Sequence, residues 1–416
     1  MPAEESPLSR RESIRVFFIC PLPQWEGEPR QFLAARTKIF LLIEILKNQG
    51  FEVVLINSGR QMGQVSPMHV TNIELPRGGE VSAVIGPSRV RTSFGRLLTL
   101  FSYRRMLALA SKCFGEPDIA WCYNGYAFEM LSARYLKRHS RAACVLEFED
   151  HPLARMRFVK LKPVLDWICW RRIAKKFDLC YAVNQRLAKL MTQRGVETEP
   201  LPGLISEENI TWFNNHPPNF EDGSAIVVAY SGGLDRLKGA DFLLDLVAIS
   251  IEKDLPIEWQ ITGSGPLESE FQKISELNPS RVHFHGVVTA HRLREIRSHT
   301  HVLLNPHKPN SDVFPFKVLD AICTGRLVIS TPLQHGFEDL EWLDNAVYQA
   351  KLDPNQWIDA ILSARRLYKS RLRRITQGRC EAAHRFSEKG FGIHIREKLA
   401  SFGELSSEVT TERKTR

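Results

Sequence analysis

The 416 residues predict an α/β protein of two doubly wound, Rossmann-like domains. Three observations carry this. Short apolar runs rich in Val, Ile, Leu and Phe alternate with longer segments of helical periodicity, the pattern of βαβ units and parallel sheets. That pattern begins near residue 14, fades into the polar, Pro-containing ISEENITWFNNHPPNFEDG (205–223), and restarts at AIVVAY (225–230). A chain of this length has room for two domains of about 200 residues each.

Composition narrows the class. A hydrophobic content of 43% and a charged content of 25% are ordinary for a globular protein, which excludes a largely disordered chain. No run of 18 apolar residues occurs, so no membrane-spanning helix is expected. MPAEESPLSRRESIRVFFIC lacks the basic-then-apolar pattern of a signal peptide. Eight scattered cysteines form no C-x-x-C pair, against zinc or a disulfide framework and in favour of buried thiols in a reducing cytoplasm. Net charge is +9, and residues 87–186 hold 19 Lys/Arg against 8 Asp/Glu. Such a surplus suits an anionic phospholipid surface or a phosphate-bearing acceptor. No nucleic-acid motif accompanies it, so no nucleic-acid partner is expected.

The first domain is placed at 13–210, after a polar segment 1–12 expected to be disordered. A strand at 14–20, the loop PLPQWEGEPR, a helix at 31–49 ending at Gly50 and a strand at 52–56 open a βαβ unit. Residues 58–100 are rich in Gly, Pro and Ser and give no clear element, while the basic segment 96–112 reads as helical. Strand 118–123, helix 126–138 and strand 142–148 follow, the last delivering Glu149-Asp150-His151 to its carboxyl end. Titratable residues there are site candidates, because ligands of open α/β sheets gather at strand carboxyl ends. They fit a loop of solvated charges as well. In 155–176 basic residues interleave with Phe158, Leu161, Leu165, Trp167 and Trp170, as in a membrane-surface helix or a packed helix with a basic outer face. Strand 178–183, helix 184–194 and ETEPLPGLI close this half.

The second domain is placed at 223–385. Its first strand runs into SGGLDRLKGADFLLDLV. Gly232 and Gly233 permit close backbone approach, and Lys238 stands just ahead of a helix opening near 239, where it can meet a phosphate. A tight turn with a solvated lysine fits the same residues. Strand 257–262 leads into Gly263-Ser264-Gly265-Pro266, a G-x-G without the third glycine of a dinucleotide fingerprint. Strand 281–286 precedes Val287 and Val288, and strand 301–304 delivers the stretch SDVFPFKVLDAICTGRLVIST (311–331). There Asp312 precedes a helix with Pro315 in its first turn, Asp320 lies inside it, and Gly325 ends it. By spacing alone Asp312 is equally a helix cap and Asp320 a solvated helix residue.

As an ordered string, 311–331 resembles the donor-sugar motif of family 4 retaining glycosyltransferases (glycosyl transferases group 1). In that motif two acidic residues, usually Glu, are separated by seven residues, as Asp312 and Asp320 are, ahead of a small-residue turn and a Val/Ile-rich strand. Pro315 stands where many members have Gly. The resemblance implies the GT-B architecture, two Rossmann-like domains facing across a cleft, with a last helix (386–403) crossing back to the first. The charged tail 404–416 is expected to be disordered.

The family's activity is transfer of a sugar from a nucleoside-diphosphate sugar to a hydroxyl. By resemblance, Lys238 would grip the diphosphate; the position of the family's arginine is Gly233 here, and Arg236 would substitute from the same loop. Asp312 would hold sugar hydroxyls with Phe314, Pro315 and Phe316 beside it, Asp320 the ribose hydroxyls, and Lys317 would add a cation. Gly263 and the main chain of Val287 would border the nucleotide. Asp150 and His151 would face the acceptor and the reacting carbon. No Asp-x-Asp motif appears, so no metal and no cofactor is expected. The implied context is a glycan or lipid-linked acceptor in cell-surface polysaccharide biosynthesis, on the cytoplasmic membrane face. Two other classes stay open: a non-catalytic relative acting as a binding or scaffold protein, and a Rossmann oxidoreductase. The latter needs a G-x-G-x-x-G after the first strand, which loop 21–30 lacks.

Overall fold

The computed structural model describes residues 13–22, 24–25, 33–58, 61–62, 67–87, 100–152, 161–220, 225–308, 317–333 and 335–414. The chain forms two compact units. One comprises the chain up to Tyr181, with Lys189–Glu199 and everything from Gly392; the other comprises Ala182–Ala188 and Pro200–Phe391.

The first unit is built from β1 (Arg15–Cys20), α1 (Leu33–Asn48), β2 (Glu52–Asn57), β3 (His69–Glu74), β4 (Glu80–Ile85), α2 (Tyr103–Phe114), β5 (Ile119–Tyr123), α3 (Ala127–His139), β6 (Ala143–Phe148) and α4 (Leu161–Ile173). Then come β7 (Leu179–Ala182), α5 (Gln185–Thr192), which belongs to this unit from Lys189 on, and β8 (Glu197–Pro200), and the sheet order is β8-β7-β6-β5-β1-β2-β4-β3. β1 pairs in parallel with β2 on one side and β5 on the other, so the chain reverses its direction of winding between β1 and β5. Both central strands are buried on both faces, which is why they read as unbroken apolar runs. Trp121 stacks on Phe18 and Tyr181 at 6.1 and 5.5 Å between ring centroids.

The segment that gave no element in the sequence holds a hairpin. β3 and β4 pair antiparallel across Pro76-Arg77-Gly78-Gly79, where Gly78 and Gly79 take φ of 96° and 78°. β3 is an edge strand of alternating half-exposed and exposed residues, so it lacks the apolar run that marks its neighbours. The basic segment is helical over Tyr103–Phe114, and its expected start at 96 lies outside the described residues. From Leu161 onward the basic-aromatic stretch is a packed helix: Trp170 and Ile173 are buried, Arg171 and Arg172 are exposed, and Asp166 accepts from the Ala127 amide of α3 at 2.9 Å.

The second unit contains α6 (Glu207–Asn215), β9 (Ile226–Ser231), α7 (Ala240–Glu252), β10 (Ile257–Thr262), α8 (Glu268–Leu277), β11 (Val282–Phe284), α9 (Ala290–Ser298), β12 (Val302–Asn305), α10 (Lys317–Cys323) and β13 (Leu327–Ser330). α11 (Glu341–Ala346), β14 (Tyr348–Gln349), α12 (Pro354–Leu362) and α13 (Ala364–Phe386) complete it, and α14 (Glu388–Lys414) belongs to the first unit from Gly392 on. The sheet is parallel throughout, in the order β11-β10-β9-β12-β13-β14. Its core includes Val228, Tyr230, Trp259, Ile261, Leu304 and Ile329. The buried Trp259 indole is satisfied by Ser250 Oγ at 2.9 Å.

Helix α6 lies in the polar segment 205–223 and belongs to the second unit. Ser206 caps it, accepting from the Asn209 amide at 3.1 Å, and Phe213 is buried beneath the Arg326 guanidinium. Arg326 is itself buried and donates to the carbonyls of Thr300, Thr324, His216 and Ser298 at 2.8–3.0 Å, tying the ends of α6, α9 and α10 together. α14 runs to Lys414, where the sequence led us to expect a disordered tail from 404; no proline stops it. Among the described residues, no helix is long and apolar enough to cross a membrane. The expected disordered segment 1–12 and most of the loop 21–30 lie outside the described residues.

Candidate functional site

In the second sheet the chain runs from β9 outward through β10 and β11, then returns to place β12 on the other side of β9. The crevice at the carboxyl ends of β9 and β12 is therefore the switch point, where an open parallel sheet takes its ligands. Three connections meet there, and glycine makes the meeting possible. A Cβ on Gly239, at φ 76°, would stand 1.9 Å from the Pro306 carbonyl oxygen. A Cβ on Gly263, at φ 134°, would stand 1.8 Å from that of Gly232. The loops after β9, β10 and β12 thus touch backbone to backbone. The Gly263 amide also donates to the Gly286 carbonyl at 2.8 Å, bringing the exposed Val287 to the same edge.

The loop after β9 folds as a capped turn. Asp235 Oδ1 accepts from the amides of Leu237 and Lys238 at 2.9 and 3.0 Å, winding Arg236–Lys238 into one 3-10 turn. Lys238 is left half-buried at its end, immediately before α7, and Arg236 is exposed. Beneath the loop, the Tyr230 hydroxyl donates to the Gly233 carbonyl at 2.8 Å.

Lys317, the first residue of α10, reaches the same place. Its Nζ lies 4.1 Å from the centroid of the Tyr230 ring and 3.4 Å from where a Gly232 Cβ would be. The residue as a whole is half-buried, yet Nζ is shut off from solvent and has no hydrogen-bond partner among the described residues. Burial, then the charges of Lys238 and Arg297, bring its ammonium down to about 7, with Asp235 opposing. His307, buried in the loop after β12, is lowered to about 4 by burial and then by the same two lysines. Lys238, Lys317 and His307 are therefore one electrostatic cluster with Asp235 as its counter-charge. Among the described residues it is short of negative charge, and a buried ammonium without a partner is costly unless an anion completes it.

Asp320, one turn into α10, accepts from Asn209 Nδ2 at 2.8 Å and from the buried Arg297 at 2.9 Å. Each oxygen uses one lone-pair direction and keeps another. Its side chain is 29% exposed, so the carboxylate is held in place and still accessible.

The structure thus gathers Gly232, Gly233, Arg236, Lys238, Gly263 and Lys317 at one crevice, with Val287 at its rim and Asp320 on the same helix as Lys317. Asp312, Phe314, Pro315 and Phe316 lie outside the described residues. Asp150 and His151 belong to the first unit. The Asp150 amide donates to Asn124 Oδ1 at 3.1 Å, and the His151 ring meets Trp170 edge-on with centroids 4.9 Å apart. Asn124 sits at φ 72°, a left-handed conformation, at the carboxyl end of β5. Glu149 faces inward and pairs with the buried Lys38, which also binds Glu147 at 2.6 Å; burial pushes the Glu149 carboxyl up.

Sequence reasoning missed Tyr230, His307, Asn209 and Arg297. The strand-end rule applied to 149–151 would also have picked out Asn305-Pro306-His307-Lys308. Tyr230 carried no such signal, because it closes an apolar strand and reads as core. Asn209 and Arg297 reach Asp320 from distant helices, and spacing along the chain says nothing of that.

The chain resembles several solved structures. Sucrose-phosphate synthase from Thermosynechococcus elongatus superposes with a TM-score of 0.67 at 15% identity, covering 96% of this chain and 100% of that one. HepE from Anabaena, in complex with UDP, gives 0.60 at 14% identity over 93% and 100%. Trehalose-6-phosphate synthase from Burkholderia multivorans gives 0.63 at 10% identity over 96% and 98%. No curated protein matches by sequence. Residues 225–366 match the family model described as glycosyl transferases group 1. The chain has the GT-B fold of two Rossmann-like domains, and the stretch that is similar to glycosyl transferases group 1 lies in the second of them.

Proposed function

We propose that this protein transfers a sugar from a nucleoside-diphosphate sugar to a hydroxyl of a glycan or lipid-linked acceptor, with retention of anomeric configuration. One observation carries the reading: the Lys317 ammonium is buried without a hydrogen-bond partner among the described residues, beside Lys238, at the switch point of the sheet. A diphosphate supplies the two negative charges and the acceptor oxygens that this cluster lacks.

In this reading the bond between the anomeric carbon and the β-phosphate oxygen breaks, the bond to the acceptor oxygen forms, and the proton of the acceptor hydroxyl passes to the departing diphosphate. Charge develops on the departing diphosphate, where fixed cations in a water-poor site stabilise it most. Lys238 and Lys317 take that role, with Arg236 at the entrance and the amino-terminal end of α7 adding its dipole. Asp320 accepts from the ribose hydroxyls, held by Asn209 and Arg297. Asp312, with Phe314, Pro315 and Phe316, positions the sugar. Asp150 and His151 serve the acceptor side. The cations carry the phosphate charge without a metal or other cofactor. Work on the cytoplasmic membrane face in surface-polysaccharide assembly suits the basic composition of residues 87–186.

Titrating the protein with UDP and GDP sugars by calorimetry, alongside Lys317→Met, tests this. Binding of one nucleotide sugar, weakened at least tenfold in the variant, is expected. Equal affinity of the variant would remove Lys317 from the site. Absence of binding by every donor would favour a scaffold role.

A further inference from the structure

Helix α13 carries a concentration of positive charge that the sugar-donor site does not use. Its 23 residues hold eight Arg or Lys and one acid, Glu381. Ala364, Ile375, Gly378, Ala382 and Phe386 form its buried stripe. Arginines flanking that stripe are committed to the protein: Arg371 donates to the Asn345 and Val347 carbonyls, Arg379 to Asn214, and Arg385 to Asp339, at 2.6–2.8 Å.

The outer face is different. Arg366, Lys369, Arg373 and Arg374 are exposed, and among the described residues none of them forms an ion pair; Arg366 makes one hydrogen bond, to Ser363 Oγ at 3.2 Å. Arg366, Lys369 and Arg373 follow at spacings of three and four, so they form one ridge, and like charges so placed repel and destabilise the helix. A cationic ridge of this kind does nothing for folding. Two leucines accompany it: Leu372 is 46% exposed and Leu362, just before the helix, 39%. A groove of about 880 Å³ opens beside Leu362 at the helix start, lined by Ile226 and Pro256 next to Arg366 and Lys369. Ile226 begins β9 and Gly232 follows its end, so this surface lies at the opposite end of the second sheet from the donor loops.

We infer that the outer face of α13 docks on an anionic phospholipid bilayer. The charge is complementary to the headgroups, and exposed leucines among the cations find apolar surroundings at the headgroup boundary, which a nucleic-acid backbone does not offer. Each basic side chain at such a surface strengthens binding about fivefold, so four together contribute several hundredfold, falling with salt. The inference does not depend on glycosyl transfer, and it locates a surface apart from the basic segment 87–186.

The test is co-sedimentation of the full chain with vesicles of phosphatidylglycerol and phosphatidylcholine, against phosphatidylcholine alone. Wild type is expected to sediment only with the phosphatidylglycerol vesicles, and R366Q/K369Q/R373Q/R374Q to lose at least tenfold in partitioning with a melting temperature equal to or above that of wild type. Should the quadruple variant fold poorly, R366Q/K369Q and R373Q/R374Q are each expected to lose part of the binding. Equal sedimentation of the variants would overturn the inference. So would absence of binding by wild type, or tighter binding to an oligonucleotide than to vesicles.

Discussion

The Lys317 ammonium stands 4.1 Å from the centroid of the Tyr230 ring and has no hydrogen-bond partner among the described residues. The arrangement pre-places a cation against the loop of Gly232 and Gly233 while leaving its hydrogen-bonding capacity unused. A ring face compensates a buried ammonium only in part.

Lys317→Met is expected to bind a nucleotide sugar at least tenfold more weakly and yet to be more stable than wild type, by about 1–3 kcal/mol, because it removes a buried donor without a partner. Chemical denaturation and donor titration on the same variant check both. A variant that is less stable and binds normally would make Lys317 a structural residue.

Donor binding should be linked to protons. With Lys317 near 7 in the free site, an anion stabilises its protonated form and raises it, so binding above pH 7 takes up a proton. Affinity should then fall as pH rises above 7, by at most about tenfold per unit. Lys317→Arg should abolish that dependence. Calorimetry in buffers of different ionisation enthalpy reads the proton directly.

His307 sets an acid limit on stability. Its folded value of about 4 lies below the ordinary 6.5, so the unfolded chain binds more protons between these values. Its contribution is present above about 6.5 and is lost as pH falls towards 4, at most about 3 kcal/mol. Urea melts of His307→Gln should show a shallower loss of stability over that window than wild type.

Asp320→Asn and Asp320→Ala should separate function from folding. Alanine strands the buried Arg297 and is expected to cost about 1–3 kcal/mol, whereas asparagine keeps an acceptor for it. Both should weaken nucleotide binding, if Asp320 holds the ribose, and melting curves alongside affinities distinguish the two effects.

Gly239→Ala should damage the site from a distance. The new Cβ has to move the Pro306 carbonyl and hold a left-handed φ, so Lys238 is displaced along with the loop. A loss of about 2 kcal/mol or more in stability is expected, together with weaker donor binding.

Much of the second unit was legible in the sequence because its strands are buried on both faces and its helices begin and end at recognisable residues. β10 falls at 257–262, as its apolar alternation indicates, and α10 ends against Gly325. Lys238 and Lys317 were legible because each stands beside a helix start in a patterned stretch. The hairpin β3–β4 was not, since an edge strand exposed on one side loses the apolar signal, although Pro-Arg-Gly-Gly marks its turn. α6 was hidden for another reason. Its polar, Pro-flanked sequence reads as linker, and what makes it part of the second unit is long-range: the bonds of Asn209 to Asp320, Trp212 to Ser298 and Arg326 to the His216 carbonyl.

The central claim is that the lysine pair of the second unit receives the diphosphate of a sugar donor. The most direct measurement is thermal stabilisation by a panel of nucleoside-diphosphate sugars in wild type and Lys238→Ala, whose half-buried side chain contributes little to folding. The account predicts stabilisation of wild type by one donor class and little or none in a variant that melts normally without ligand. Equal stabilisation of both proteins would contradict it.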